Sequence, residues 1–145
     1  MAGQVEVMFN SDVASRSLGM ELLRAGPGTA EVRMRITREM VNGHDIAHGG
    51  YLFMLADTAF ACACNSDGQV TVAAGAEISF VTSARLGDEL VATAELRTRY
   101  GRNGIYDVTI RRDRDIIAEF RGRSRATASE VSCPRICSPP PPPMS

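Results

Sequence analysis

The sequence predicts an α+β domain in which an antiparallel sheet packs against one long helix. Three observations carry this. Segments with period-two alternation fall into two groups, two before and four after a single apolar run. The connections within each group are of hairpin length, which makes neighbouring strands antiparallel. The run between the groups, Tyr51 to about Cys64, is long enough for a helix and apolar on nearly every side, so it must be wrapped by the rest of the chain.

In chain order, Val5, Phe9 and Val13 recur at four-residue steps, with Leu18 beyond them, and predict a short leading helix over Val5 to Leu18. From Met20 to Ile36 the pattern is that of two strands about the turn Gly26-Pro27-Gly28. The second alternates cleanly, with Ala30, Val32, Met34 and Ile36 on one face and Glu31, Arg33 and Arg35 on the other. Thr37 to Gly50 reads as a loop, and Asn65 to Gly68 (NSDG) stops the apolar helix. Strands follow at Val70 to Thr82, Leu90 to Arg99, Ile105 to Arg111 and Ile116 to Arg125, with turns at Leu86 to Asp88, Gly101 to Gly104 and Asp113 to Asp115. Their inward sets are Leu90, Ala92, Ala94 and Leu96, then Tyr106, Val108 and Ile110, then Ile116, Ala118 and Phe120. Residues 1–129 form the expected domain. Residues 130–145, which include five consecutive prolines, are expected to be a disordered tail, because proline can extend neither a helix nor a ladder.

At 145 residues the chain is long enough to bury a core without metal or disulfide help. A hydrophobic content of 44% and a charged content of 23% are those of a soluble globular protein, and no apolar run approaches the ~20 residues of a membrane span. The N-terminus lacks a basic start followed by an apolar core, so a cytoplasmic protein is expected. All sixteen basic residues are arginine, on a net charge of −1. Arginine forks suit phosphate and carboxylate groups, and the missing basic excess argues against a nucleic-acid track; the codon bias of a GC-rich genome accounts for the same preference. Cys62 and Cys64 are two apart on a helix and point in widely separated directions. Cys133 and Cys137 lie in the tail without other nearby ligands, so neither pair suggests a metal site.

The chemistry gathers in NGHDIAHGGYLFMLADTAFA, Asn42 to Ala61. Gly49 and Gly50 sit where the loop meets the helix, so their amides belong to the unsatisfied donors of a helix start, suited to an oxyanion; a plain flexible entry turn is the alternative. Asp57 stands in an apolar helix, where a carboxylate is costly unless paired or employed. His44 and His48 are four apart, but their flanks read as loop, which withholds the alignment that makes a helical metal pair. His48, next to the glycines, is better placed to orient a substrate. Along a helix, Gly49 and Asp57 are about 12 Å apart, too far to serve one carbonyl from one chain. Two antiparallel helices about a two-fold axis would supply both, which predicts a dimer with shared sites. Arg102 with Asn103, and Arg121, Arg123 and Arg125, are candidates to hold phosphates, or else belong to solvated strand faces.

NGHDIAHGGYLFMLADTAFACACNS, followed by VAAGAEISFVTSARLGDEL and later by GIYDVTIRR and FRGRSRA, resembles the hotdog-fold acyl-CoA thioesterases of the phenylacetate-degradation (PaaI) family over about Phe9 to Ala128. The resemblance implies a sheet wrapped around the central helix, dimers that pair into a homotetramer, and hydrolysis of phenylacetyl-CoA, hydroxyphenylacetyl-CoA or related thioesters. It implies no metal and no cofactor, coenzyme A being part of the substrate, and no nucleic-acid or membrane partner. By position, Asp57 matches the catalytic carboxylate, Gly49 the amide that polarises the carbonyl, and His48 and Asn42 the supporting loop residues. Gly50, Thr58 and Phe80 are further substrate-binding candidates. The family commonly has prolines in the segment matching Phe80 to Gly87, where this chain reads FVTSARLG with Ser83 and Leu86. A hotdog-fold hydroxyacyl-thioester dehydratase or hydratase, and a non-catalytic acyl-CoA-binding protein, are the alternatives.

Overall fold

The computed structural model describes residues 3–127. Residues 128–145, with the proline-rich tail and the domain boundary expected at 129, lie outside them. Two short helices lead, α1 (Gln4–Asn10) and α2 (Val13–Ser17), where one continuous helix was expected. Asp12 makes the break: its carboxylate accepts from the Ser15 amide at 3.0 Å and so starts a second helix. The four-residue spacing therefore stops counting at Phe9, and Val13 is 79% exposed.

The first hairpin joins β1 (Glu21–Gly26) and β2 (Thr29–Arg35) through Pro27 and Gly28, the glycine at φ +71° as a two-residue turn of this kind requires. Ala30, Val32, Met34 and Ile36 are fully buried, as their alternation predicts. The loop that follows holds one 3-10 turn, Arg38–Met40, and leads into α3 (Gly49–Cys64), which starts two residues earlier than its apolar run. Asn65 ends the helix and ties it to β3 (Thr71–Phe80), its Oδ1 accepting from the Thr71 amide at 2.9 Å.

β4 (Glu89–Tyr100), β5 (Asn103–Arg112) and β6 (Asp115–Ala126) complete a six-stranded sheet, all of whose pairs are antiparallel, in the order β1-β2-β4-β5-β6-β3. The sheet closes around α3, whose Leu52, Leu55, Ala56, Ala59 and Phe60 are at most 3% exposed. This is the hotdog architecture. One inward position differs from the alternation. The β5–β6 ladder slips between Ile110 and Arg111, which places Ile117 and Ala118 both in the core and leaves Ile116 half-buried. Gly122 and Phe60 show how close the wrap is, since a Cβ on Gly122 would lie 2.8 Å from the Phe60 ring.

Candidate active site

Asn42 builds the loop before α3. Its Oδ1 accepts from the amides of His44 at 2.8 Å and Ile46 at 3.1 Å, and its own amide donates to the Ile46 carbonyl at 2.9 Å. These bonds close the turn in which Asp45 adopts φ +61°. The far arm of the loop is then pinned: the Ala47 amide donates to Ala84 O at 2.8 Å and the His48 amide to Met40 O at 2.9 Å. His48 is the N-cap of α3, with an exposed side chain that makes no capping bond. His44 is exposed, in the turn that Asn42 closes.

Gly49 and Gly50 are the first two residues of α3, where no intrahelical acceptor exists for their amides, and among the described residues none donates elsewhere. A cavity of about 250 Å³ opens at this point, bounded by Ala47, Gly49, Leu52, Phe80, Val81 and Ser83. The tip of the Phe80 ring rests on Gly49 so closely that a Cβ there would meet it at 2.6 Å, so only glycine lets ring and helix start share this corner. Donors at the positive end of a helix, facing a largely apolar cavity, are suited to stabilising negative charge on a carbonyl oxygen.

Asp57 lies two turns on, half-buried. Burial pushes its carboxyl above the usual range and the negative charge of Asp12 pushes it further, with no hydrogen bond or neighbouring cation to offset either. It shares a partly exposed stripe of α3 with Gly50, Phe53, Met54 and Ala61. Thr58 points the other way. It is 5% exposed, and its hydroxyl is 2.8 Å from that of Ser15 on α2.

The arginines divide by face. Phe120, Gly122 and Ser124 of β6 are buried toward the helix side, so the pleat turns Arg121, Arg123 and Arg125 to the outer face. There Arg121 forks onto Asp107 at 2.7 and 2.9 Å, and Arg123 pairs with Glu77 at 3.2 Å. The fold does not bring Arg121 or Arg123 to the start of α3. Arg102 and Asn103 sit in the β4–β5 turn beside the C-terminal end of α3, a helix length of about 24 Å from Gly49. Within one chain, then, the structure joins Gly49, Gly50, Phe80 and the Asn42–His48 loop, and leaves Asp57 and Arg102 apart from them. Sequence reasoning missed Asp12 and Ser15, whose trace in the sequence is the helix-start pattern Asp-Val-Ala-Ser.

A sheet wrapped on one buried helix, with free amides at the helix start and a desolvated carboxylate within it, defines a thioesterase of the hotdog class. The chain belongs to the thioesterase superfamily, whose sequence pattern matches residues 44–119, and it is a thioester hydrolase. Among its relatives, the acyl-coenzyme A thioesterase PaaI of Escherichia coli is 40% identical over 126 residues, which span 86% of this chain and 90% of that one. The structure of the Escherichia coli PaaI protein from the phenylacetic acid degradation operon superimposes with a TM-score of 0.82 over 86% of this chain and 91% of its own. A mutant of the phenylacetic acid degradation protein PaaI from Thermus thermophilus, 29% identical, superimposes with a TM-score of 0.77 over 80% of this chain and all (100%) of that one.

Proposed function

We propose that the chain hydrolyses acyl-CoA thioesters to the free acid and coenzyme A, with arylacetyl groups such as phenylacetyl and hydroxyphenylacetyl as the acyl part. The observation that carries this is the unengaged amide of Gly49 at a helix start that opens onto a largely apolar cavity, in a helix whose one carboxylate is desolvated and unpaired. The likeness to an acyl-CoA thioesterase over most of both chains supports the substrate class.

Asp57 acts in its ionised form, either by adding to the thioester carbon to give an anhydride that water opens, or by taking a proton from the attacking water. In both routes charge grows on the carbonyl oxygen, which the Gly49 amide stabilises. The C–S bond then breaks and the thiolate leaves without a strong acid. No cofactor enters this scheme. Asn42 and His48 hold the loop that aims the amides.

Because Gly49 and Asp57 are about 12 Å apart along α3, the reaction needs a second chain. The β3 edge provides for one. This strand carries a single charged residue, Glu77, and no proline, and it exposes Val72 at 44% and Phe80 at 55%; such an edge is unguarded against strand addition. Antiparallel pairing of two β3 strands about a two-fold axis sets the α3 helices antiparallel and moves each Gly49 toward the partner's half of the sheet. It also carries the partner's Arg102–Asn103 turn from the far end toward that Gly49, where the phosphates of coenzyme A would extend. The mixed-sign outer face, with Arg97, Arg121 and Arg123 among Glu77, Asp107 and Glu119, suits the pairing of two such dimers into a tetramer. No helix of the described residues is long and apolar enough to cross a membrane, and we place the protein in the cytoplasm. Incubating the chain with phenylacetyl-CoA and a thiol-reactive chromophore tests the reading. Free thiol is expected at a rate that Asp57→Asn abolishes; absence of thiol from arylacetyl and short acyl thioesters alike would refute it.

A further inference from the structure

Ser15 is a fully buried polar residue on a helix of five residues, and its hydroxyl must be satisfied where it lies. It stands 2.7 Å from Asp12 Oδ2 and 2.8 Å from Thr58 Oγ1. A carboxylate only accepts, so Ser15 donates to Asp12, and the Thr58 hydroxyl in turn donates to Ser15. The other oxygen of Asp12 accepts from the Ser15 amide at 3.0 Å. A directed chain of hydrogen bonds thus runs from the turn of α3 that carries Asp57 to the carboxylate that caps α2.

We propose that Asp12 is a positioning residue of the hydrolytic site: through Ser15 and Thr58 it fixes the turn that carries Asp57, and it holds a second negative charge near that carboxylate. The inference rests on the reading of Asp57 as the reacting group. The charge has few competitors. On α1, Glu6 is bonded to the Gly3 amide at 2.8 Å and bears on Cys62 rather than on Asp57. On α3 itself, burial pushes Cys62 and Cys64 up to about 12, so both stay neutral thiols. From the sheet, the buried titratable side chain is Tyr106, also raised by burial and neutral. The unfavourable effect of Asp12 on ionised Asp57 makes that carboxylate a stronger base once it has lost its proton.

The test is the pH dependence of kcat/KM for phenylacetyl-CoA in the parent, Asp12→Asn, Ser15→Ala and Asp57→Asn. Asparagine keeps an acceptor for the Ser15 amide and removes the charge; its NH2, in place of the second oxygen, donates to the Ser15 hydroxyl, which then donates to Thr58, so the chain survives with its direction reversed. We expect the acid limb of Asp12→Asn to move to lower pH, because Asp57 then ionises more readily. In Ser15→Ala, which keeps the charge and cuts the chain, the limb should stay and kcat fall about tenfold with KM little changed. An Asp12→Asn profile superimposable on the parent's, with Asp57→Asn inactive, overturns the inference and leaves the site reading standing. An active Asp57→Asn overturns the site reading itself. Should Asp12→Asn not fold, Asp12→Ser, which also caps, is read in its place; should neither fold, a parental kcat in Ser15→Ala overturns the proposal.

Discussion

Asp57 is costly to the fold for the same reason that it would be useful to the proposed reaction. Its native pKa lies above the ordinary carboxylate value, so the folded state holds the proton more tightly than the unfolded state does. The resulting penalty is absent below the unfolded pKa of about 4, grows as pH rises through the folded value, and stays constant above it. Asp57→Asn carries no such penalty. It should melt at a higher temperature than the parent at pH 7, with the difference closing near pH 3.5, while turnover falls by about 10²- to 10⁴-fold. Thermal melts at the two pH values and a thiol-release assay check this, and a lower melting temperature at pH 7 would mean that the carboxylate is structurally engaged. At this scale the sequence was readable where chemistry and position coincide. An aspartate in an apolar helix and two glycines at its start are conspicuous in one dimension. Asp12 was not, because it reaches Thr58 only through Ser15, and the Ser15–Thr58 link is a hydroxyl pair that only the packing of α2 on α3 creates. Thr58 was readable as a neighbour of Asp57, yet helix geometry turns it 100° away, into the contact with Ser15.

Among the elements, α3 and β6 are matched through the absence of a side chain. Gly122 lies under the Phe60 ring, which is 1% exposed and packs at 5.8 Å from Phe120 and 5.6 Å from Tyr106. A methyl at Gly122 would enter that ring at 2.8 Å with no exposed direction in which the ring could yield. Gly122→Ala should therefore destabilise the fold by about 1–3 kcal/mol, as overpacking does, and Phe60→Leu in the same chain should recover part of it. Urea unfolding of the parent and of these two variants measures this, and a parental midpoint for Gly122→Ala would show the helix free to move off the sheet. The elements themselves were legible because alternation and a continuous apolar run differ in period. The failures fall where a local bond interrupts the period. Asp12 breaks the leading helix by capping a new one, and the slip opposite Arg111 replaces Ile116 with Ile117 in the core. The arginines of FRGRSRA follow the inward Phe120 at odd steps, so the alternation already turned them outward, and the structure keeps them there.

In the whole molecule, the decisive fact is a length. α3 is rigid and buried, so the distance of about 12 Å between Gly49 and Asp57 cannot shrink within one chain, whereas the two groups must reach the same carbonyl within about 3.5 Å. The proposed two-fold axis beside the exposed β3 edge would resolve this and make two equal sites, each with the amide of one chain and the carboxylate of the other. Complementation tests the arrangement. An Asp57→Ala chain is co-refolded with a Gly49→Pro chain, which lacks the donating amide. Proline suits the first position of a helix, and the atom its ring would meet is the tip of Phe80, an exposed side chain able to swing aside. Each parent alone should be inactive. In a mixed dimer one site pairs the intact Gly49 of the first chain with the intact Asp57 of the second, and the other site collects both lesions. With equal amounts and random pairing about half of the dimers are mixed and half of their sites intact, so about a quarter of the parental activity should return. Inactive mixtures, with mixed dimers seen by native mass spectrometry and the Gly49→Pro chain folded by circular dichroism, would show that each chain works alone and that Asp57 reaches its substrate by a route other than the partner's helix start.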